Sequence, residues 1–218
     1  MLTNKVKESL VKILERSFKD TFELGGGKEH RFFHGLQVAT FSQKIARKGK
    51  LNVDFDALFI SALFHDIGKI EAVDSTGNID YGSEANRDHE QIAAKKLSLI
   101  IGEVVSDKEL LEKCSKIILS TKLDDGLLES KVIKDADELG NFGYLQVWRT
   151  FTYAASDKQN LFENINYWYE SGRQSRLDMI RHLNFDVSRS IAEKRLKKID
   201  QFFDEIKKES DGSDFAEV

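Results

Sequence analysis

Apolar residues return every three or four positions along most of the chain. Val6, Leu10, Ile13, Leu14 and Phe18 form one such series. Ala93, Leu97 and Ile100 form a second, Leu110, Cys114, Ile117 and Ile118 a third, and Ile191, Leu196, Ile199, Phe203 and Ile206 a fourth. That spacing lines one face of a helix with apolar side chains. Few stretches alternate with the period of two that marks a strand. The chain also has no proline, the residue that most disrupts a helix interior. The expected fold class is all-α. Helix starts are marked as well: Asp88 with Gln91 reads as a capping pair ahead of HEQIAAKKL, and Asp107 can cap KELLEKCSKII. No repeat and no proline- or serine-rich linker divides the pattern. The reading is therefore one all-α domain over residues 1–208, followed by a polar, acidic segment, 209–218, expected to be a flexible tail.

Three apolar stripes are interrupted by polar residues. His34, Val38, Phe41 and Ile45 follow one another at helical spacing, which puts His34 on a buried face. His30 lies one turn earlier, at the start of that helix. Phe55, Leu58, Phe59, Ala62 and Leu63 make a second stripe that runs into His65 and Asp66, with Gly68 placed as a helix stop. Asp137, Asn141, Tyr144, Leu145 and Trp148 share a third face, while Asp135 and Glu138 fall on other faces as solvated or helix-start acids. A lone histidine on an apolar face is more often a hydrogen-bonded core residue than a ligand. A buried aspartate is costly unless it is paired or bound to a cation, and Lys69 is a ready partner for Asp66. Together, however, His34, His65, Asp66 and Asp137 bring two imidazoles and two carboxylates to one interior. That donor set suits Mn, Fe, Co, Ni, Zn or Mg better than a closed structural zinc site, which favours thiolates.

Composition narrows the field further. The 218 residues carry a net charge of −4, which gives no general attraction to nucleic acid. The single cysteine, Cys114, rules out an intrachain disulfide and suits a reducing compartment. MLTNKVKESL lacks the apolar core of a signal peptide, and ALFISALF is far shorter than the ~20 residues of a membrane helix. A cytoplasmic protein is expected. GGGKE lacks the context of a phosphate-cradling loop and reads as a helix break. VDSTGNIDYGSEANRD is long, polar and glycine-bearing, the character of a substrate lid. FENINYWYESGRQSR gathers Phe162, Tyr167, Trp168 and Tyr169 with Arg173 and Arg176, and core aromatics are the favoured reading over a stacking, phosphate-binding wall. The last helix can pack on the core or against a second copy in a homodimer.

The ordered set H…HD…D, in the contexts HGLQVA, LFHDIGK and IKDADELG, resembles the HD-domain superfamily of metal-dependent phosphohydrolases across residues 30–155. The resemblance implies an all-α bundle around one divalent ion held by His34, His65, Asp66 and Asp137. It also implies water activated by that ion attacking phosphorus in a nucleotide or related small phosphate ester. Asp66 and Lys69 are the implied catalytic pair, Lys69 standing where relatives place a phosphate-contacting lysine. Arg31, one turn before His34, can clamp a phosphate or remain a solvated arginine. His89 resembles a histidine of binuclear relatives, but the next helix carries Ser120, Thr121 and Lys122 in place of a second one. One metal is therefore expected, with His89 contacting phosphate or closing the pocket. Relatives that use a glutamate base leave Glu71 and Glu84 as candidates here. The alternative is a nucleotide-binding regulatory module that keeps the fold without turnover.

Overall fold

The computed structural model describes residues 1–123 and 126–217. The all-α expectation holds. Among the described residues, strand structure is confined to a two-residue hairpin, Phe22–Glu23 (β1) against Gly27–Lys28 (β2). The chain divides into two compact units, Met1–Asp137 and Glu138–Val218. The sequence signals no linker there, and the division falls at the end of a helix.

The first unit is built around α3 (Phe55–Phe64), which is apolar almost all round and buried along most of its length. Its start is fixed by Asp54, whose carboxylate accepts from the backbone N–H groups of Asp56 and Ala57 at 3.0 and 3.1 Å. Burying side chains such as Leu58, Ile60 and Phe64 contributes roughly 1.5–3 kcal/mol each. Around α3 stand α1 (Asn4–Ser17), α2 (His30–Lys48) and α6 (Lys108–Leu123). A 3-10 turn over Ile67–Ala72 continues from α3 and packs on α4 (Glu84–Arg87) and α5 (His89–Ile101), and α7 (Leu128–Glu138) closes the unit. Cys114 lies in this core, and burial pushes its thiol up to about 12.

The second unit contains α8 (Tyr144–Ser156), α9 (Leu161–Tyr167), a π turn over Trp168–Gly172, α10 (Arg173–His182) and α11 (Asp186–Asp211). Asn160 and Glu163 cap α9 reciprocally. Trp168 stacks on Phe203 of α11, with centroids 4.9 Å apart and planes within 7°.

Several local expectations need correcting. GGGKE is not a plain break: Gly25 and Gly27 take positive φ, 77° and 88°, and turn the chain through the hairpin. The segment 73–88 is not structureless. Asp74 accepts from Thr76 and Asn78, and Phe22 and Val73 bridge to Asn78 and Ile79, so the segment is tied to the hairpin. Asp88 makes no side-chain cap on α5 and instead pairs with Lys122 at 2.8 Å. Asp107 does cap α6, through Leu110 at 3.1 Å. The stripe from Asp137 to Trp148 is not one helix face. Gly143 at φ 81° separates α7 and its trailing 3-10 turn (Leu139–Asn141) from α8, and Tyr144, Leu145 and Trp148 are exposed. Asp135, read as solvated, is buried on the side of α7 that carries Val132. In the segment expected to be a tail, α11 continues to Asp211, Gly212 turns the chain at φ 74°, and a 3-10 turn follows over Ser213–Glu217.

Candidate metal centre

Two helices meet at His34 and His65 because a glycine lets them. A Cβ on Gly35 would sit 2.7 Å from the Leu63 carbonyl oxygen and 2.8 Å from Leu14 Cδ2, so only glycine allows α2 this close to the end of α3. The imidazoles of His34 and His65 then lie with centroids 5.3 Å apart. Asp66 follows directly and is buried with them. Ligand atoms of His34, His65 and Asp66 all fall within 4.8 Å of one another. His34 Nε2 and His65 Nε2 each lie 3.6 Å from Asp66 Oδ2. Asp137, at the end of α7, brings its Oδ1 to 3.0 Å from His34 Nε2, with its side chain half-exposed.

The protonation pattern suits metal binding. His65 Nδ1 donates to the Ala62 carbonyl at 2.8 Å, which leaves the Nε2 lone pair facing the cluster. Burial lowers the pKa of this ring, against the pull of Asp66 and Asp137. His34 Nε2 and His65 Nε2 are buried and neither makes a hydrogen bond with protein groups of the described residues. Burial would raise Asp66, but His65, Lys69 and Arg31 outweigh it and hold the carboxyl well below the usual range, helped by His89. The partial burial of Asp137 would raise it, and the neighbouring His34 and His65 outweigh this and hold it down. The ligand atoms of His34, His65 and Asp66 lie close enough together to fit one divalent ion, with Asp137 beside His34 at the edge of the cluster.

Asp66 is also the hub of a polar shell. Lys69 Nζ reaches its Oδ2 at 3.0 Å, and His89 sets Nε2 3.0 Å from Oδ1 while Nδ1 faces the Asn86 carbonyl at 2.6 Å. Arg31 Nη1 donates to Oδ2 at 2.5 Å. The rest of the Arg31 guanidinium forks onto Glu23, and Tyr81 hydrogen-bonds both Glu23 and Arg31. Arg31 is therefore buried, not solvated. Asp66 and Glu23 raise it against its own desolvation, and the Arg31 charge and the Tyr81 hydrogen bond keep the buried Glu23 ionised.

Glu23 and Tyr81 escaped the sequence reading. The only cue was the glycine run beside Glu23, which gives no register. Glu71 pairs with Lys96 and Glu84 is exposed on α4, so neither touches the cluster. Where a second metal-binding histidine would stand, Lys122 bonds Asp88 and the Arg87 carbonyl.

Gly68 acts differently from the helix stop expected. It lies inside the 3-10 turn, and a Cβ there would overlap the backbone carbonyl of His89. Its absence of a side chain lets α5 deliver His89 to Asp66. Gly68→Ala is expected to displace α5, cost about 1–3 kcal/mol and weaken metal retention. Urea unfolding and metal content measured together check this. An alanine variant with unchanged stability would show that the contact is soft.

A family profile described as HD domain matches residues 31–141, half of the chain and all four candidate ligands. The chain belongs to the HD-domain family. Among solved structures, Bacillus subtilis YpgQ in complex with ADP shares 19% identity with this HD domain at a TM-score of 0.66, over 94% of this chain and 95% of that one. An HD-superfamily hydrolase from Bacillus thuringiensis shares 19% at a TM-score of 0.66, over 95% and 97%. A Listeria innocua protein shares 22% at 0.63, over 97% and 98%. At these identities the likeness is one of fold. No curated protein matches the chain. Among the described residues, no helix of this HD domain is long and apolar enough to cross a membrane.

Proposed function

We propose that this HD domain is a metal-dependent phosphohydrolase acting on a nucleotide or a related small phosphate ester. The observation that carries the reading is the pair of buried imidazole nitrogens, His34 Nε2 and His65 Nε2, turned toward an ionised Asp66. A donor set left in this state wants a cation. The hydrolase relative and the ADP complex of YpgQ support a phosphate-bearing substrate.

In this reading His34, His65, Asp66 and Asp137 hold one ion. When bound, the ion supplies Lewis acidity to a phosphoryl oxygen and acidifies a water. Lys69 and His89 flank Asp66 and offer donors to the phosphate from either side. Arg31 is a positioning residue, since Glu23, Tyr81 and Asp66 take most of its donors. It fixes the Asp66 carboxylate from behind. Lys122 bound to Asp88 favours one ion over two.

The test is metal analysis of the purified protein, with phosphate and pyrophosphate release measured from nucleoside mono-, di- and triphosphates and from p-nitrophenyl phosphate. Activity is expected to vanish with EDTA and to return with one of Mn, Co, Ni, Mg, Fe or Zn. Turnover of nothing under any of these ions would overturn the enzyme reading. One observation favours a second reading, a nucleotide-binding module without turnover: neither Glu71 nor Glu84 is placed to act as a base. Saturable ADP binding without release of phosphate would establish it.

A further inference from the structure

The stretch FENINYWYESGRQSR divides into two groups. Trp168 belongs to the core, stacked on Phe203. Tyr169 donates to Asp204 at 2.6 Å and Arg173 pairs with Asp200 at 3.0 Å, so both tie this stretch to α11. Tyr167 and Arg176 do neither. They line a cavity of about 370 Å³ within the second unit, together with Gln146 and Arg149 of α8 and Asn164 of α9. That volume lies in the range of small-molecule sites.

Arg176 is the unusual member. Its Nε is buried without a hydrogen-bond partner among the described residues. Among the described residues its Nη1 hydrogen-bonds Ser175 Oγ at 3.4 Å and Met179 Sδ at 3.6 Å, both weak acceptors at those distances. Desolvation and the neighbouring charge of Arg149 both work against its ionised form, with Tyr167 and Glu138 opposing. Arginine does not lose its proton in proteins, so two positive guanidinium groups face one cavity. Leaving such a charge desolvated and without an ion pair is costly, unless a ligand completes the arrangement.

We propose that this cavity binds a phosphate-bearing anion between Arg149 and Arg176. Guanidinium pairs match the oxygens of a phosphate by forked, charge-assisted bonds. The buried amides of Asn164 and Gln146 add neutral hydrogen-bonding groups that do not repel an anion. The half-exposed ring of Tyr167 offers a flat wall for whatever carries the phosphate. Asp157, the carboxylate that also lines the cavity, is exposed to solvent, which weakens its hold on a buried charge. The occupant is inorganic phosphate or the phosphate of a nucleotide. The proposal does not depend on the metal centre, because every lining residue lies in Glu138–Val218.

The experiment uses the full chain in EDTA, with inorganic phosphate and ADP titrated separately by calorimetry. Saturable 1:1 binding of at least one is expected, and Arg149→Met and Arg176→Met should each weaken it at least tenfold. Arg176→Lys should recover part of the loss. Binding of ADP well above that of phosphate identifies a nucleotide as occupant, and equal or weaker ADP binding identifies the free ion. In phosphate-free buffer the melting temperature of Arg176→Met should equal or exceed that of the unaltered protein, since a desolvated charge has been removed. Three results would overturn the proposal: neither ligand binds, both Met variants bind as before, or Arg176→Met melts well below the parent without ligand.

Discussion

Asp66→Ala is expected to abolish metal retention and activity together, and to destabilise the protein by about 3–5 kcal/mol. The carboxylate serves two purposes. It faces the His34 and His65 nitrogens across the cluster, and it accepts from Arg31 and Lys69 behind it. Removing it leaves the buried guanidinium with Glu23 and Tyr81, and takes from Lys69 its acceptor among the described residues. A loss of activity by itself would not separate ligand loss from unfolding. His65→Gln separates them. Its Nε2 makes no hydrogen bond to protein groups, so the alteration forfeits mainly the Nδ1 bond to Ala62, worth about 1 kcal/mol. Metal should be lost as completely as in Asp66→Ala while most of the stability survives. Metal content by plasma mass spectrometry and urea unfolding in EDTA measure the two quantities. Full metal occupancy in His65→Gln would show that the cluster is not the site.

Arg31→Met should be the most destabilising alteration outside the ligand set, again by about 3–5 kcal/mol. Glu23 is 1% exposed and ionised, and Arg31 is its cationic partner in this shell. Deleting the guanidinium strands the Glu23 carboxylate in the interior and leaves Asp66 to Lys69 and His89. The pairing predicts its own rescue. With Glu23→Gln added, one stranded charge disappears, so the double variant should be more stable than Arg31→Met alone. A double-mutant cycle by urea unfolding measures the coupling. Additive losses would mean that the two side chains do not depend on each other. Because Arg31 acts through Asp66, its loss should also weaken metal affinity by about 10–100-fold, the range seen for residues that orient metal ligands.

The parts of this molecule that repeat with a period were legible from sequence. The α3 stripe and the His34 stripe give the right helices, and the burial of His65 and Asp66 follows from where those stripes lead. His34, His65 and Asp66 come together for that reason. What escaped has no period. A hairpin with two residues per strand leaves no alternation to read, so Glu23 gave no sign that it would meet Arg31. Tyr81 reaches the same network from a loop. The chemistry of Gly68 is written 21 positions away, in the backbone of His89, and a local rule for helix ends could not find it. The stripe opened by Asp137 was carried too far, because apolar spacing continues through a glycine at φ 81° that the backbone cannot follow as a helix. Asp135 was misread for the opposite reason: polarity suggested solvent, and the packing of α7 put it inside.

The stacking of Trp168 on Phe203 has a practical consequence. Both tryptophans of the chain, Trp148 and Trp168, fall in Glu138–Val218, and Met1–Asp137 has none. Intrinsic tryptophan emission therefore reports on the C-terminal unit alone, whereas release of an ion from the proposed centre would report on the N-terminal one. Following both signals through a single denaturant titration makes the molecule its own pair of reporters. Coincident midpoints would mean that the units melt as one cooperative body, and separated midpoints would give the stability of each.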